Sequence, residues 1–387
     1  MQERIVLKAL QDPELRRNRL PRHILLEIPD GGIDADTGVL LLLDENRVAE
    51  NGGYERNLLK QRIANRNNLI VAGFNYFGLR KCSNISLSPA FFHNCESIYQ
   101  EDFSNAKWDA NGYAEMMEIL AEVIQTRHGC KYLDPRCMFG LEHTEDEYES
   151  WGFLAALDGI ACVDEVLRRY LPGPRRRLVM GSRYGGYVAQ LMGKIAPATF
   201  TAVIDNAGYC RSYLNHIAGH EMIEADVRLV VEEDNGGKSF TFQAFFNNPW
   251  TIEDEKSPNY FADSHRAIRS LSQPTHRESS NTWYYIRQTI EDSIVPVVEK
   301  DRYVDLLKKF NPVCYNRTEK EPLIDMGDLF EKALLAGPDH LSRTSDQTDF
   351  SLAKTRRFVC CDKEYIFDFS PKGGLSVNVV ASTTVGA

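Results

Sequence analysis

Apolar residues fall into short runs separated by turn residues through the first part of the chain. His-Ile-Leu-Leu-Glu-Ile-Pro at 23–29 and Gly-Val-Leu-Leu-Leu-Leu at 38–43, either side of the turn cluster Asp30-Gly31-Gly32, predict two early strands. A helical period runs from Tyr54 to Ala64, and the apolar stretch Asn68 to Ala72 ends at Gly73 as a short buried strand. Strand, helix, strand is the opening of an α/β unit. Ala114 to Gln125 and Phe153 to Tyr170 carry helical periodicity, the second closed by Leu171-Pro172-Gly173-Pro174. Arg176 to Met180 then predicts a strand, 181–186 a glycine turn, the next residues to about Ile195 a helix, and Ala202 to Asp205 another strand.

The pattern changes after that. Asp226 to Glu232, the turn Asp234-Asn235-Gly236-Gly237 and the alternating run Ser239 to Phe246 predict a β-hairpin, and 210–280 is expected to be a lid-like insertion. The earlier rhythm resumes at Trp283-Tyr284-Tyr285-Ile286 and a helix near Lys300 to Phe310. A closing hairpin is expected over 355–387, with strands Arg357 to Phe369 and Leu375 to Val380. No internal repeat interrupts this order. The expected architecture is a single α/β domain over 1–387, with a mostly parallel central sheet and helices on both faces.

Composition narrows the classes of function. Length alone permits one domain or two, and either leaves room for a large core. With 45 basic against 55 acidic residues the formal charge is −10, which argues against nucleic acid or an anionic membrane surface as partner. The nine cysteines are odd in number and never form C-x-x-C. They point to a reducing compartment instead of a disulfide or zinc framework. With no apolar leader and no 18-residue apolar run, the expected location is the cytoplasm.

The chemistry concentrates in Leu178-Val-Met-Gly-Ser-Arg-Tyr-Gly-Gly-Tyr187. Gly181 and Gly185 stand where G-x-S-x-G, the nucleophile elbow, has its glycines, and Arg183 stands at the centre. The glycines are required because side chains two residues either side of so sharp a turn would collide. A generic glycine turn in a doubly wound sheet would also fit these residues. Two later loops favour the elbow: Asp292, three residues before Val295-Pro296, follows a strand where the triad acid is due, and His340, in Leu335-Ala-Gly-Pro-Asp-His-Leu-Ser342, stands where the histidine is due.

The match extends beyond these positions. Asn75-Tyr76-Phe77-Gly78, Gly152-Phe-Leu-Ala-Ala-Leu-Asp158, Gly185-Gly-Tyr-Val-Ala189, Ile195-Ala-Pro197 and Ile204-Asp-Asn206 resemble stretches of an uncharacterised bacterial family of α/β-hydrolase-like proteins, sometimes found near genes for flagellin and surface-sugar modification. The resemblance covers about residues 35–345 and implies a serine-hydrolase ancestry. Members usually carry serine, often followed by histidine, where this chain has Arg183 and Tyr184. They also carry a Pro-Gly-Phe-Gly-like oxyanion loop where this chain has Asp44-Glu45-Asn46-Arg47. The backbone N–H groups at Tyr184 and Glu45 remain the oxyanion candidates, with acidic side chains now beside the second.

Arginine stays protonated and has no lone pair to attack with, so the usual covalent route is closed at Arg183. A guanidinium left unpaired in a pocket would cost about 3–5 kcal/mol, so Asp292 or a bound carboxylate or phosphate is expected to pair with it. The favoured reading is a degenerate hydrolase with a binding or assembly role, taking a small anionic ligand; acidic surface sugars are the substrate class that the resemblance implies. The alternative is an active esterase, deacylase or acyltransferase using His340 and Asp292 with water or with Ser182. No cofactor is called for. His216, His220 and Glu221 have a metal-like spacing but no completing cluster, and Arg175-Arg-Arg177 reads as a solvated strand edge. Tyr76 and Phe77 are expected to line or support the pocket rim, and the oligomeric state stays open.

Overall fold

The all-apolar runs of the sequence become the middle of one sheet. A computed structural model describes residues 1–43, 54–76, 82–100, 113–143, 147–171, 176–222, 227–232, 239–319, 325–338, 355–370 and 374–382. With elements numbered in chain order, eight strands form this sheet: β1 (Gln2–Leu7), β2 (Arg22–Glu27), β3 (Gly38–Leu43), β4 (Leu69–Phe74), β7 (Arg177–Ser182), β8 (Ala202–Asn206), β11 (Trp283–Thr289) and β12 (Val313–Thr318), in the spatial order β1-β2-β4-β3-β7-β8-β11-β12. β2 runs antiparallel to both of its neighbours and every other pairing from β4 to β12 is parallel. Counted within the sheet this is 1-2-4-3-5-6-7-8 with only the second strand reversed, the arrangement of the α/β-hydrolase fold. β3, β4, β7 and β8 are buried at every position, as central parallel strands covered on both faces must be. β1 alternates and β12 is only half-buried, as edges are.

Helices cover both faces. Ile63 and Ala64 of α1 (Tyr54–Asn67) and Leu329, Phe330 and Ala333 of α9 (Met326–Ala336) pack with Leu40, Val71, Met180 and Ile204. On the other face lie α4 (Phe153–Tyr170) and α5 (Tyr184–Ile195). Their approach to the sheet is close enough that a Cβ on Gly159 would meet Leu41 and Met192, and one on Gly193 would meet Tyr284 and Val203. α8 (Val297–Leu307) follows β11, and α7 (Asp263–Arg269) precedes it.

The chain divides into two compact units: Met1–Phe77, Ser150–Ser212 and Ala262–Ala387 form one, Gly78–Glu149 and Tyr213–Phe261 the other. The stretch 210–280 therefore contributes to both. The second unit has its own sheet, β5 (Cys82–Ser86), β6 (Phe139–His143), β10 (Ser239–Phe246) and β9 (Val227–Glu232) in that order, with β6 and β10 parallel. α2 (Pro89–Tyr99) and α3 (Tyr113–His128) supply Phe91, Tyr99, Leu120 and Ile124 to a core shared with Phe139, Phe240, Phe242 and Phe246. α6 (Asn215–Met222) loses helical dihedrals at Ala218, so 216 and 220 do not share a regular helical face.

Two expectations need correction. The closing hairpin is a three-stranded antiparallel sheet, β13 (Arg356–Cys360), β14 (Lys363–Ser370) and β15 (Gly374–Ala381). The first run folds back through Cys361-Asp362, with Cys361 at φ 53°, a turn that asparagine or glycine usually announces. Arg176 and Arg177 are not a solvated edge but are buried. Arg176 Nη2 donates to the carbonyls of Asn67 at 2.9 Å, Asn68 at 3.2 Å and Asp36 at 3.3 Å, closing the end of α1 where carbonyls lack helical partners. Tyr76 is buried, which leaves it a supporting position and not a lining one, and Phe77 lies outside the described residues. Among the described residues no helix is long and apolar enough to cross a membrane.

Candidate active site

β7 delivers the chain to the C-terminal edge of the sheet, and α5 leaves from it after one residue. That residue, Arg183, has φ 50° and ψ −114°, a conformation costing a side chain-bearing residue about 1–3 kcal/mol. The turn is held by Arg183 N–H donating to the Asn206 carbonyl at 3.0 Å and Tyr187 N–H to the Arg183 carbonyl at 3.0 Å. A Cβ on Gly181 would run into the Gly185 carbonyl group and come within 2.7 Å of the Gly186 nitrogen; one on Gly186 would strike Asp205. The glycines are thus where the sharp turn demands them. Ala207, directly after β8, at 52°, and Trp151, before α4, at 46°, are among the other non-glycine residues of the same unit with left-handed φ.

The Arg183 guanidinium forms an ion pair with Asp292; the two side chains are 19% and 1% exposed. Asp292 belongs to the loop between β11 and α8. Its Oδ1 accepts from Ile294 N–H at 2.9 Å and Val295 N–H at 3.0 Å, and its Oδ2 accepts from Gln288 Nε2 at 3.2 Å in addition to Arg183. Burial by itself would raise this carboxyl. The N–H groups of Val295 and Ile294, then the Arg183 charge, outweigh it and hold the carboxyl below the ordinary carboxylate range. Gln288, whose Nε2 also donates to the Val295 carbonyl at 3.0 Å, ties the loop ends together.

Ser182 is buried beneath the turn. Its hydroxyl donates to Met326 Sδ at 3.0 Å and accepts from Asn206 Nδ2 at 2.8 Å. Asn206 Oδ1 in turn accepts from Arg287 Nη1 at 3.1 Å, so Ser182, Asn206 and Arg287 form a polar row across β7, β8 and β11. The Tyr184 side chain points inward: its hydroxyl accepts the Gly152 N–H at 2.9 Å, and its ring packs edge-on against Tyr76 and Trp151. The structure therefore brings Arg183, Asp292, Tyr184, Gly181 and Gly185 to one end of the sheet and directs Ser182 away from Asp292. His340 and Glu45 lie outside the described residues.

A second ion pair supports the site and was not anticipated from the sequence. Lys300 of α8 donates to Asp205 Oδ2 at 2.8 Å and to the Gly208 carbonyl, with both charged side chains fully buried. Asp205 Oδ1 also accepts the Gly208 N–H at 2.7 Å, and Gln190 of α5 reaches Oδ2 at 3.3 Å. α8 is thereby anchored to the end of β8, and the Asp292 loop lies between that anchor and β11. The signal was present: an aspartate at the end of the apolar run Ala-Val-Ile-Asp requires a buried cation somewhere in the fold.

Several solved structures of α/β-hydrolase enzymes are similar to this chain. The acylaminoacyl peptidase of Pyrococcus horikoshii shares 13% identity, with 83% of this chain and 37% of that one covered and a TM-score of 0.42. Oligopeptidase B of Trypanosoma brucei shares 12%, covering 89% and 37%, at 0.47. An S-formylglutathione hydrolase of Agrobacterium tumefaciens shares 11%, covering 89% and 96%, at 0.44. The chain spans little more than a third of the length of the two peptidases. No curated protein matches it in sequence. A family model does: the one described as "Protein of unknown function (DUF2920)" matches residues 53–320, more than half of the chain, and the chain belongs to that family.

Proposed function

We propose that this protein keeps the scaffold of a serine hydrolase while an ion pair occupies its acyl-transfer site, and that it acts by binding or assembly instead of covalent catalysis. The observation carrying this is the engagement of Asp292. A carboxylate offers about four lone-pair positions, and Ile294, Val295, Gln288 and Arg183 each donate to it. An imidazole seeking orientation from this carboxylate would have to displace one of them. Arg183 supplies no nucleophile, and the Ser182 hydroxyl is spent on Met326 and Asn206.

The ligand class that suits the site is a small anion. A carboxylate or phosphate would arrive at the exposed fraction of the Arg183 side chain and compete with Asp292 for its donors. An acidic sugar is one ligand of this kind.

Labelling with a fluorophosphonate probe tests the reading. The wild-type chain should stay unlabelled, and Arg183→Ser, which returns a hydroxyl to the elbow and frees one Asp292 position, should gain labelling. Labelling of the wild type that disappears in Ser182→Ala would sink the proposal in favour of a displaced serine.

A further inference from the structure

The buried face of α2 presents Phe91, Cys95 and Tyr99, one helical turn apart. This face meets the 3-10 turn Pro135–Cys137 of the same unit at two ends. Asn94 Nδ2 donates to the Arg136 carbonyl at 2.5 Å, and the Tyr99 hydroxyl accepts the Asp134 N–H at 2.6 Å. Cys95 and Cys137, each the next residue after the Asn94–Arg136 contact, are both fully buried in the apolar core of this unit. The Asn94–Arg136 and Tyr99–Asp134 hydrogen bonds set the two cysteines against one another within that core. Two thiols 42 residues apart in sequence are thus held side by side by contacts that do not involve sulfur.

We infer that Cys95 and Cys137 are a redox staple, a dithiol that a small-molecule disulfide converts into an intramolecular disulfide pinning α2 to the turn 135–137. One cysteine thiolate attacks a sulfur of a disulfide such as oxidised glutathione, forming a mixed disulfide and expelling one thiol. The second cysteine attacks the protein-side sulfur, forming the Cys95–Cys137 bond and expelling the other thiol. Two electrons pass to the oxidant, and the two cysteine protons end on the two released thiols.

Contact with Cys95 and burial both hold the Cys137 thiol well above its ordinary range. While α2 is seated the pair is therefore inert, and it reacts when that helix opens locally. Once formed, the bond closes a loop that restricts the opened chain and reseats the helix. Cys130 and Cys361 are partly or fully exposed, and so serve as internal references for oxidation without local opening.

The test uses the full chain, reduced, freed of reductant and incubated with oxidised glutathione in mild urea. Peptide mapping without reduction should find Cys95 joined to Cys137, reversibly with dithiothreitol, and amide exchange across Pro89–Tyr99 should slow by about tenfold relative to the reduced chain. In Cys137→Ala, Cys95 should carry glutathione instead. Glutathione on Cys130 or Cys361 with Cys95 and Cys137 still reduced would overturn the inference. So would a joined pair whose helix exchanges as fast as before.

Discussion

The guanidinium of Arg183 lies against the carboxylate of Asp292, 109 residues further along the chain. The two come from different crossovers of one sheet, β7 to α5 and β11 to α8, and only the parallel order β7-β8-β11 sets their strand ends two places apart. Asp292 is held by two backbone N–H groups and a glutamine amide as well, so its position does not depend on the arginine. That asymmetry makes the pair open to experiment.

Removing the two partners should cost unequal amounts. Arg183→Ala leaves Asp292 with three donors and should lower stability by about 1–2 kcal/mol. Asp292→Ala leaves the loop N–H groups and the guanidinium without this acceptor and should lower it by about 3–5 kcal/mol. Urea denaturation of both variants measures the difference. Equal losses would mean that the arginine, not the loop, carries the carboxylate.

The depressed Asp292 carboxyl makes stability pH-dependent. The unfolded carboxyl titrates near pH 4, roughly its model value, and the folded one lower. Its contribution is complete above the unfolded value and is lost as pH falls through the folded one. In Arg183→Gln the depression shrinks, so acid should destabilise the variant less steeply than the wild type. Denaturation midpoints across the acid range give the two slopes, and parallel slopes would contradict the coupling.

Lys300→Met should be among the most damaging single changes near the site. It leaves Asp205, fully buried, without its cation, at about 3–5 kcal/mol. Pairing it with Asp205→Asn should recover part of the loss, because the remaining group is neutral and its Oδ1 still accepts the Gly208 N–H. A double-mutant cycle by calorimetry reads the coupling; additive losses would show that the two side chains do not interact.

The elbow glycines should tolerate no side chain. Gly186→Ala drives a methyl group into Asp205 and brings it within 3.0 Å of Gly208, and overpacking of this kind costs about 1–3 kcal/mol. Ser182→Ala, by contrast, removes one buried hydroxyl and should cost about 1 kcal/mol with no change in fluorophosphonate labelling. The comparison of the two melting curves checks the ranking.

By itself the sequence determined the central strands, the long helices and the elbow. Continuous apolar runs such as Gly38–Leu43 have one stable place, inside a sheet covered on both faces, and the glycines at 181 and 185 are demanded by local sterics that no tertiary context can relax. The edge strands β1 and β12, the turn at Cys361 and the burial of Arg176 and Arg177 were not legible there, because edges have weak patterns and charged residues carry no mark of the carbonyls that will receive them. Whether the cation at 183 would face solvent, a ligand or a carboxylate was likewise decided only in three dimensions, as were the Lys300–Asp205 anchor and the Cys95–Cys137 contact. Each joins groups distant in sequence, and the free energy of a charge or a thiol is set by the neighbours that folding brings to it.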